Sequence, residues 1–223
     1  MWHEFSSTQP CVEALAKEIA QSIDSRLNDT GACTLAVSGG RSPIPLFEAL
    51  SSTDLDWARV HVRLVDERYV APEHPDSNEA LVRQYLLKGQ AAQAPFQGLY
   101  AAGATVGQAV TMANTHARPV DIAILGMGDD GHTASLFPKA QQLDAALAPD
   151  APYYVHVTPP DAPHERISMS LAALKACSRR LLYIAGTEKR AILSDAEKQV
   201  DKNLPISLLV AQPGVSVDVY WHP

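Results

Sequence analysis

Cysteine is scarce in this chain of 223 residues: Cys11, Cys33 and Cys177 lie far apart and are odd in number. No CxxC pair joins them, which argues against a disulfide scaffold or a zinc-binding knuckle and fits buried thiols in a reducing, cytoplasmic compartment. Long apolar runs are lacking too. No stretch approaches roughly 18 consecutive apolar residues, so no transmembrane helix is expected. Met1–Glu4 shows no basic region leading into an apolar run, so no signal peptide is expected. Nor is there an excess of basic charge: 18 Lys and Arg against 25 Asp and Glu give a net charge of −7. That balance disfavours nucleic acid and acidic membrane surfaces as partners. The eight histidines show no H-x-H or HExxH spacing, so no metal is expected. Repeats, low-complexity tracts and linker-like breaks in composition are also missing.

What is present is an ordinary globular composition, 46% apolar and 19% charged. Residues 1–223 therefore read as one domain, monomeric or weakly self-associating. The spacing of Val12, Leu15, Ile19, Ile23 and Leu27 predicts an amphipathic helix over 10–28, ended by Gly31. Thr34–Val37 reads as a strand, followed by a helix with Ser42 as N-cap and Pro43 in its first turn. Val60–Val65 is a second strand, ending in Asp66-Glu67-Arg68. Ser77 is placed to cap a helix running to about Leu87, and Thr105–His116 is a further helix. Asp121–Leu125, Tyr153–Val157, Arg180–Ala185 and Val215–Trp221 read as strands, and Thr187–Val200 as a helix. Alternating strands and helices imply an α/β layered fold with a mostly parallel sheet.

In such a sheet, ligands bind beyond the carboxyl ends of the strands. Four polar clusters fall there: Ser38–Ser42, Asp66–Arg68, Gly126–His132 and Gly186–Lys189. The most informative stretch is DIAILGMGDDGHTASLFP at 121–138. An apolar strand runs into a glycine turn with two carboxylates and His132, then a helix-like segment up to Pro138. At such a turn Asp130 is placed to orient the imidazole and raise its basicity. Gly39 and Gly40 let backbone N–H groups approach an anion, and Arg41 adds a bidentate donor. Asp66 places a carboxylate toward the same crevice. Arg166 and Lys189 are candidate anion contacts, and a lysine in a first helical turn is unusual on dipole grounds.

Two other readings of these loops are weaker. Gly126–Gly131 formally matches G-x-G-x-x-G, but two adjacent carboxylates in the loop would repel a pyrophosphate. Ala36–Gly40 is one residue short of a nucleophile elbow and has no evident acid and histidine partners in order.

GMGDDGHTASLFP at 126–138, AVSGGRSP at 36–43, LVDERYV with HPDSN at 64–78, and ERISMSLAAL at 165–174 together resemble the 6-phosphogluconolactonase family. Some of these elements are shared with glucosamine-6-phosphate deaminases; the Thr-Ala-Ser-Leu-Phe-Pro continuation and Asp-Glu-Arg favour the lactonase branch. The resemblance implies a Rossmann-like α/β fold of the deaminase and ribose-phosphate isomerase type. It implies hydrolysis of 6-phospho-D-glucono-1,5-lactone, a small sugar phosphate lactone, to 6-phosphogluconate in the pentose phosphate pathway, without a cofactor. It makes His132 the acid/base, and Arg41, Arg166 and Lys189 the phosphate and substrate contacts. Asp129 carries no expected role. In a deaminase or isomerase, Asp66 would be the proton-abstracting base; a non-catalytic sugar-phosphate sensor is a third alternative.

Overall fold

The computed structural model describes Met1–Pro223. Its strands are β1 (Trp2–Glu4), β2 (Cys33–Val37), β3 (Val60–Leu64), β4 (Asp66–Arg68), β5 (Phe96–Gln97), β6 (Ile122–Leu125), β7 (Tyr154–Val157), β8 (Arg166–Met169), β9 (Arg179–Ala185) and β10 (Asp218–His222). Its helices are α1 (Thr8–Thr30), α2 (Ile44–Ser51), α3 (Asn78–Tyr85), α4 (Val106–Thr115), α5 (Leu143–Leu147), α6 (Leu171–Ala176), α7 (Thr187–Ala196) and α8 (Ser207–Val210).

Seven strands form a wholly parallel sheet in the order β1-β10-β9-β6-β2-β3-β5. Its central strands β2 and β6 are buried along their whole length, as near-continuous apolar runs must be when both faces are covered. α1 lays Val12, Leu15, Ile19, Ile23 and Leu27 into the core and stops where Gly31, at φ 84°, donates its N–H to Leu27 O. Strand order reverses at β2: β3 lies on one side of it and β6 on the other. The loops that leave these neighbours diverge, and a crevice opens between them at the carboxyl edge.

A second, three-stranded antiparallel sheet, β4-β8-β7, stands over that edge. The expectation that Asp66–Arg68 ends the second strand is therefore corrected. Val65 donates to Val37 O in the large sheet and accepts from Met169 N in the small one, so the chain changes sheets at that residue. The strand read at Tyr153–Val157 likewise belongs to the small sheet rather than to the parallel one.

Other boundaries shift for local reasons. Ser42 does not cap α2. A turn in which Ile44 N bonds Arg41 O intervenes, and Pro43, in helical conformation, is the N-cap with no side-chain bond. The helix-like segment before Pro138 is a turn bridged by Thr133 and Leu136, with Ala134 at φ 51°. Thr133 Oγ1 donates to Gly126 O at 2.9 Å and Ser135 Oγ to Asp66 Oδ2 at 2.6 Å, so these hydroxyls hold the backbone in a non-helical path. α7 stops at Ala196 rather than 200, and β10 starts at Asp218 rather than 215. Ser77 caps α3 as expected, accepting from Ala80 N.

Candidate active site

The four polar clusters meet around one cavity of about 310 Å³ at the carboxyl edge of the parallel sheet. Gly39, Gly40, Arg41, Asp66, Arg166 and Lys189 all line it, and so does His132. Asp130 does not; it stands behind the His132 ring.

The loop from Gly126 to His132 builds an imidazole–carboxylate pair. Gly131 N bonds Gly128 O and Gly128 N bonds His132 O, which folds the loop back on itself. The imidazole lies where a side chain on residue 128 would sit: a Cβ there would be 2.1 Å from His132 Cε1, so only glycine fits. His132 Nδ1 is 2.5 Å from Asp130 Oδ1, and the His132 backbone N–H donates to the same oxygen at 3.1 Å. An ionised carboxylate only accepts, so Nδ1 carries the proton and Nε2 keeps the lone pair. Burial pushes the Asp130 carboxyl up, but the hydrogen bonds and charge of His132 outweigh it and hold it below its ordinary value. Phe137 packs against the ring at 4.2 Å between centroids.

Asp66 is buried, and Ser135 Oγ donates to its Oδ2. The loop after β2 places Gly39 against the Asn78 side chain and Gly40 at φ 93°. The Arg41 side chain makes no hydrogen bond or ion pair within the protein. Lys189, in the first turn of α7, donates to Met127 O at 2.7 Å and lies 3.7 Å from Asp129. That carbonyl and carboxylate offset the cost of a cation at a helix N-terminus.

Arg166 is only 6% exposed. It donates to Pro163 O at 3.0 Å and stacks over Phe137, while its Nε has no partner. Burial, with Arg68 nearby, lowers its pKa. The sequence places Arg68 in the Asp66–Arg68 cluster without a role of its own, yet it lines the cavity and stands directly opposite Arg166 in the β4–β8 register. Like charges facing each other across a ladder are unfavourable without an anion to share. Ser38, another lining residue, also has a buried Oγ without a partner. The signal for Arg68 was its place two residues after Asp66 on a strand, which puts both on one face. Asn78 and Tyr183 carried no such signal.

Fold and site together define an α/β protein with a cleft lined by Arg41, Arg68, Arg166 and Lys189, flanked by an imidazole–carboxylate pair, at the switch point of a parallel sheet. More specifically, the chain belongs to the family described as glucosamine-6-phosphate isomerases/6-phosphogluconolactonase, whose model matches residues 6–221. It is 41% identical over 227 residues to a 6-phosphogluconolactonase of Neisseria meningitidis, covering 99% of this chain and 98% of that one. It is 42% identical over 215 residues to a 6-phosphogluconolactonase of Pseudomonas aeruginosa, covering 94% and 89% of the two chains. The crystal structure of a 6-phosphogluconolactonase from Shewanella baltica superposes with a TM-score of 0.94 at 35% identity, covering 100% and 97%.

Proposed function

We propose that the protein hydrolyses 6-phospho-D-glucono-1,5-lactone to 6-phosphogluconate, the lactonase step of the oxidative pentose phosphate pathway. The observation that carries this reading is the pairing of a base with an anion grip. His132 Nε2 is free at one side of the cavity, while Arg68 and Arg166 face each other at another without a partner carboxylate between them. The phosphate anchors between the arginines, with Arg41 and Lys189 as further contacts. Its binding energy positions the lactone carbonyl.

Water then attacks C1 while His132 Nε2 takes its proton. The C1 carbonyl oxygen gathers negative charge, which backbone N–H groups of Gly39 and Gly40, with Arg41, stabilise. The tetrahedral intermediate collapses with cleavage of the bond from C1 to the ring oxygen. The imidazolium returns the proton to that oxygen, leaving the acid and a hydroxyl. Asp130 holds the ring in the right tautomer throughout. Asp66, fixed by Ser135, contributes negative potential beside the arginines and takes no proton in this scheme. The scheme requires no cofactor.

We further propose that residues 1–223 act as one domain, supported by a core cluster running from Cys11 to Trp221. A monomer or weak oligomer is supported by a surface whose large exposed apolar side chains are Met1, Met112 and Val200, with no contiguous patch. No helix is long and apolar enough to cross a membrane. Three buried free thiols fit a reducing cytoplasm.

The deciding assay follows freshly prepared lactone with and without protein, subtracting spontaneous ring opening. Acceleration well above background is expected. A rate equal to background, together with ammonia release from glucosamine 6-phosphate, would replace this reading with the deaminase one.

A further inference from the structure

Away from the base, three side chains converge from the two loops whose carbonyls accept from Arg68 and Arg166. His74 and Asp76 come from the loop after β4; His164 comes from the loop before β8. Their ligand atoms all lie within 4.8 Å of one another. His164 Nε2 is 3.1 Å from Asp76 Oδ2, and His74 Nδ1 is 3.9 Å from the same oxygen. The two rings meet edge to face at 5.2 Å.

We infer that these three side chains form a site for a divalent transition metal, with zinc as the natural occupant. Two imidazoles and one carboxylate are a borderline-soft N₂O set, which suits zinc rather than magnesium or calcium. Tetrahedral zinc at bond lengths of about 2.0–2.1 Å wants ligand atoms roughly 3.3 Å apart. The His164–Asp76 separation of 3.1 Å meets that, and His74, 3.9 Å from the same oxygen, must move inward to complete the set.

His74 Nδ1 accepts the Asp76 backbone N–H at 3.1 Å, so it carries the lone pair that a metal requires. Metal binding exchanges that hydrogen bond for a coordinate bond, and His164, whose Nε2 donates to Asp76 in the metal-free chain, must give up that proton to ligate. His164 is held at φ 69°, a left-handed conformation unfavourable for a non-glycine residue, with its ring against Asp76. All three side chains keep access to water, so a metal can enter and hold water in its remaining positions.

The position gives the site a consequence. Asp76 O accepts from Arg68, and Pro163 O accepts from Arg166. The metal therefore clasps the two loops whose carbonyls fix the paired arginines. The separation of 88 positions from Asp76 to His164 explains why no ligand spacing shows in the sequence.

The test is zinc titration of the full-length, tag-free protein by calorimetry, with hydrogen exchange followed in parallel. One zinc per chain is expected, with slower exchange confined to the loops around 71–76 and 159–165. Asp76→Asn and His164→Ala should each weaken binding by more than the roughly 10–100-fold that loss of a supporting outer residue costs. His74→Asn gives an independent third variant, and circular dichroism confirms folding of each. His132→Ala should bind zinc like the parent chain. Absence of binding at millimolar zinc overturns the proposal. So does binding that survives in all three variants; its loss in His132→Ala would then put the metal at that imidazole instead.

Discussion

The loop at 126–132 and the paired strands β4 and β8 face the same cavity but are finished in opposite ways. The loop satisfies itself. His132 and Asp130, partly exposed, bond each other within one turn, and Gly128 makes the room for the ring. The strand pair does not. It brings two arginines opposite each other, buries one of them almost fully and leaves that one's Nε without a partner. A proton-transfer group must be set before the ligand arrives, because its geometry decides the rate. An anion grip is completed by the anion itself, so its unmet donors and like-charge repulsion are relieved only on binding. On the proposed function the difference separates turnover from binding, and mutation of each region should show it.

The largest effect is expected in the loop. His132→Ala should lower kcat by about 10²–10⁴, the range for general acid–base help, and leave KM within a few-fold. Steady-state kinetics above the spontaneous background measures both. Near-normal turnover would remove the imidazole from the chemistry and dissolve the contrast.

The strand pair should answer in the other parameter. Replacing either arginine, as Arg68→Met or Arg166→Met, should raise KM by roughly 10–100-fold, since a hydrogen bond to a charged group is worth about 1.5–3 kcal/mol. kcat should move much less. Phosphate should raise the melting temperature of the parent protein and lose most of that effect in either variant, because ligand binding to the native state is what stabilises it. A variant that loses kcat with an unchanged KM would place the arginines in the transition state instead.

The two regions also differ in how far the sequence revealed them. Gly128, Asp130 and His132 are near neighbours in the chain, so local chemistry could be read directly from residues 126–132. The amphipathic period of α1, the glycine that ends it and the buried run of β6 were equally legible, because each is set by residues a few positions apart. The small sheet was hidden. Its strands are three or four residues long, and their pairing depends on Val65 bonding two sheets at once. The facing of Arg68 and Arg166 follows from that pairing and from nothing local. The short edge strands β1 and β5 escaped for the same reason. The turn at 132–138 departs from the helix-like segment expected there because its hydroxyls bond Gly126 and Asp66 instead.

The smallest expected effect concerns carboxylates, and it sets the regions against each other by sign. Glu67 lies between Asp66 and Arg68 on β4, so strand alternation turns it away from the cavity and into the start of α3. There it is fully buried and accepts the backbone N–H groups of Arg68, Asn78 and Glu79. Burial pushes its pKa from 4.5 up to about 7, against the pull of those donors. Between these two values the folded chain holds a proton that the unfolded chain has released. The Glu67 contribution to stability should therefore fall as pH rises through that window, then level off above about 7. Asp130 is shifted down, so its contribution is present above the ordinary aspartate pKa and lost as pH falls through the lowered one. Denaturant melts from pH 3 to pH 8, repeated with Glu67→Gln and Asp130→Asn, separate the two slopes. Glu67→Gln should flatten the decline toward neutral pH and spare the acid limb. If the parent protein instead stays level through that window, gains stability as pH rises toward 4.5, and loses that gain in Glu67→Gln, the three N–H donors outweigh burial. The strand pair would then hold a permanent negative charge directly behind its arginines.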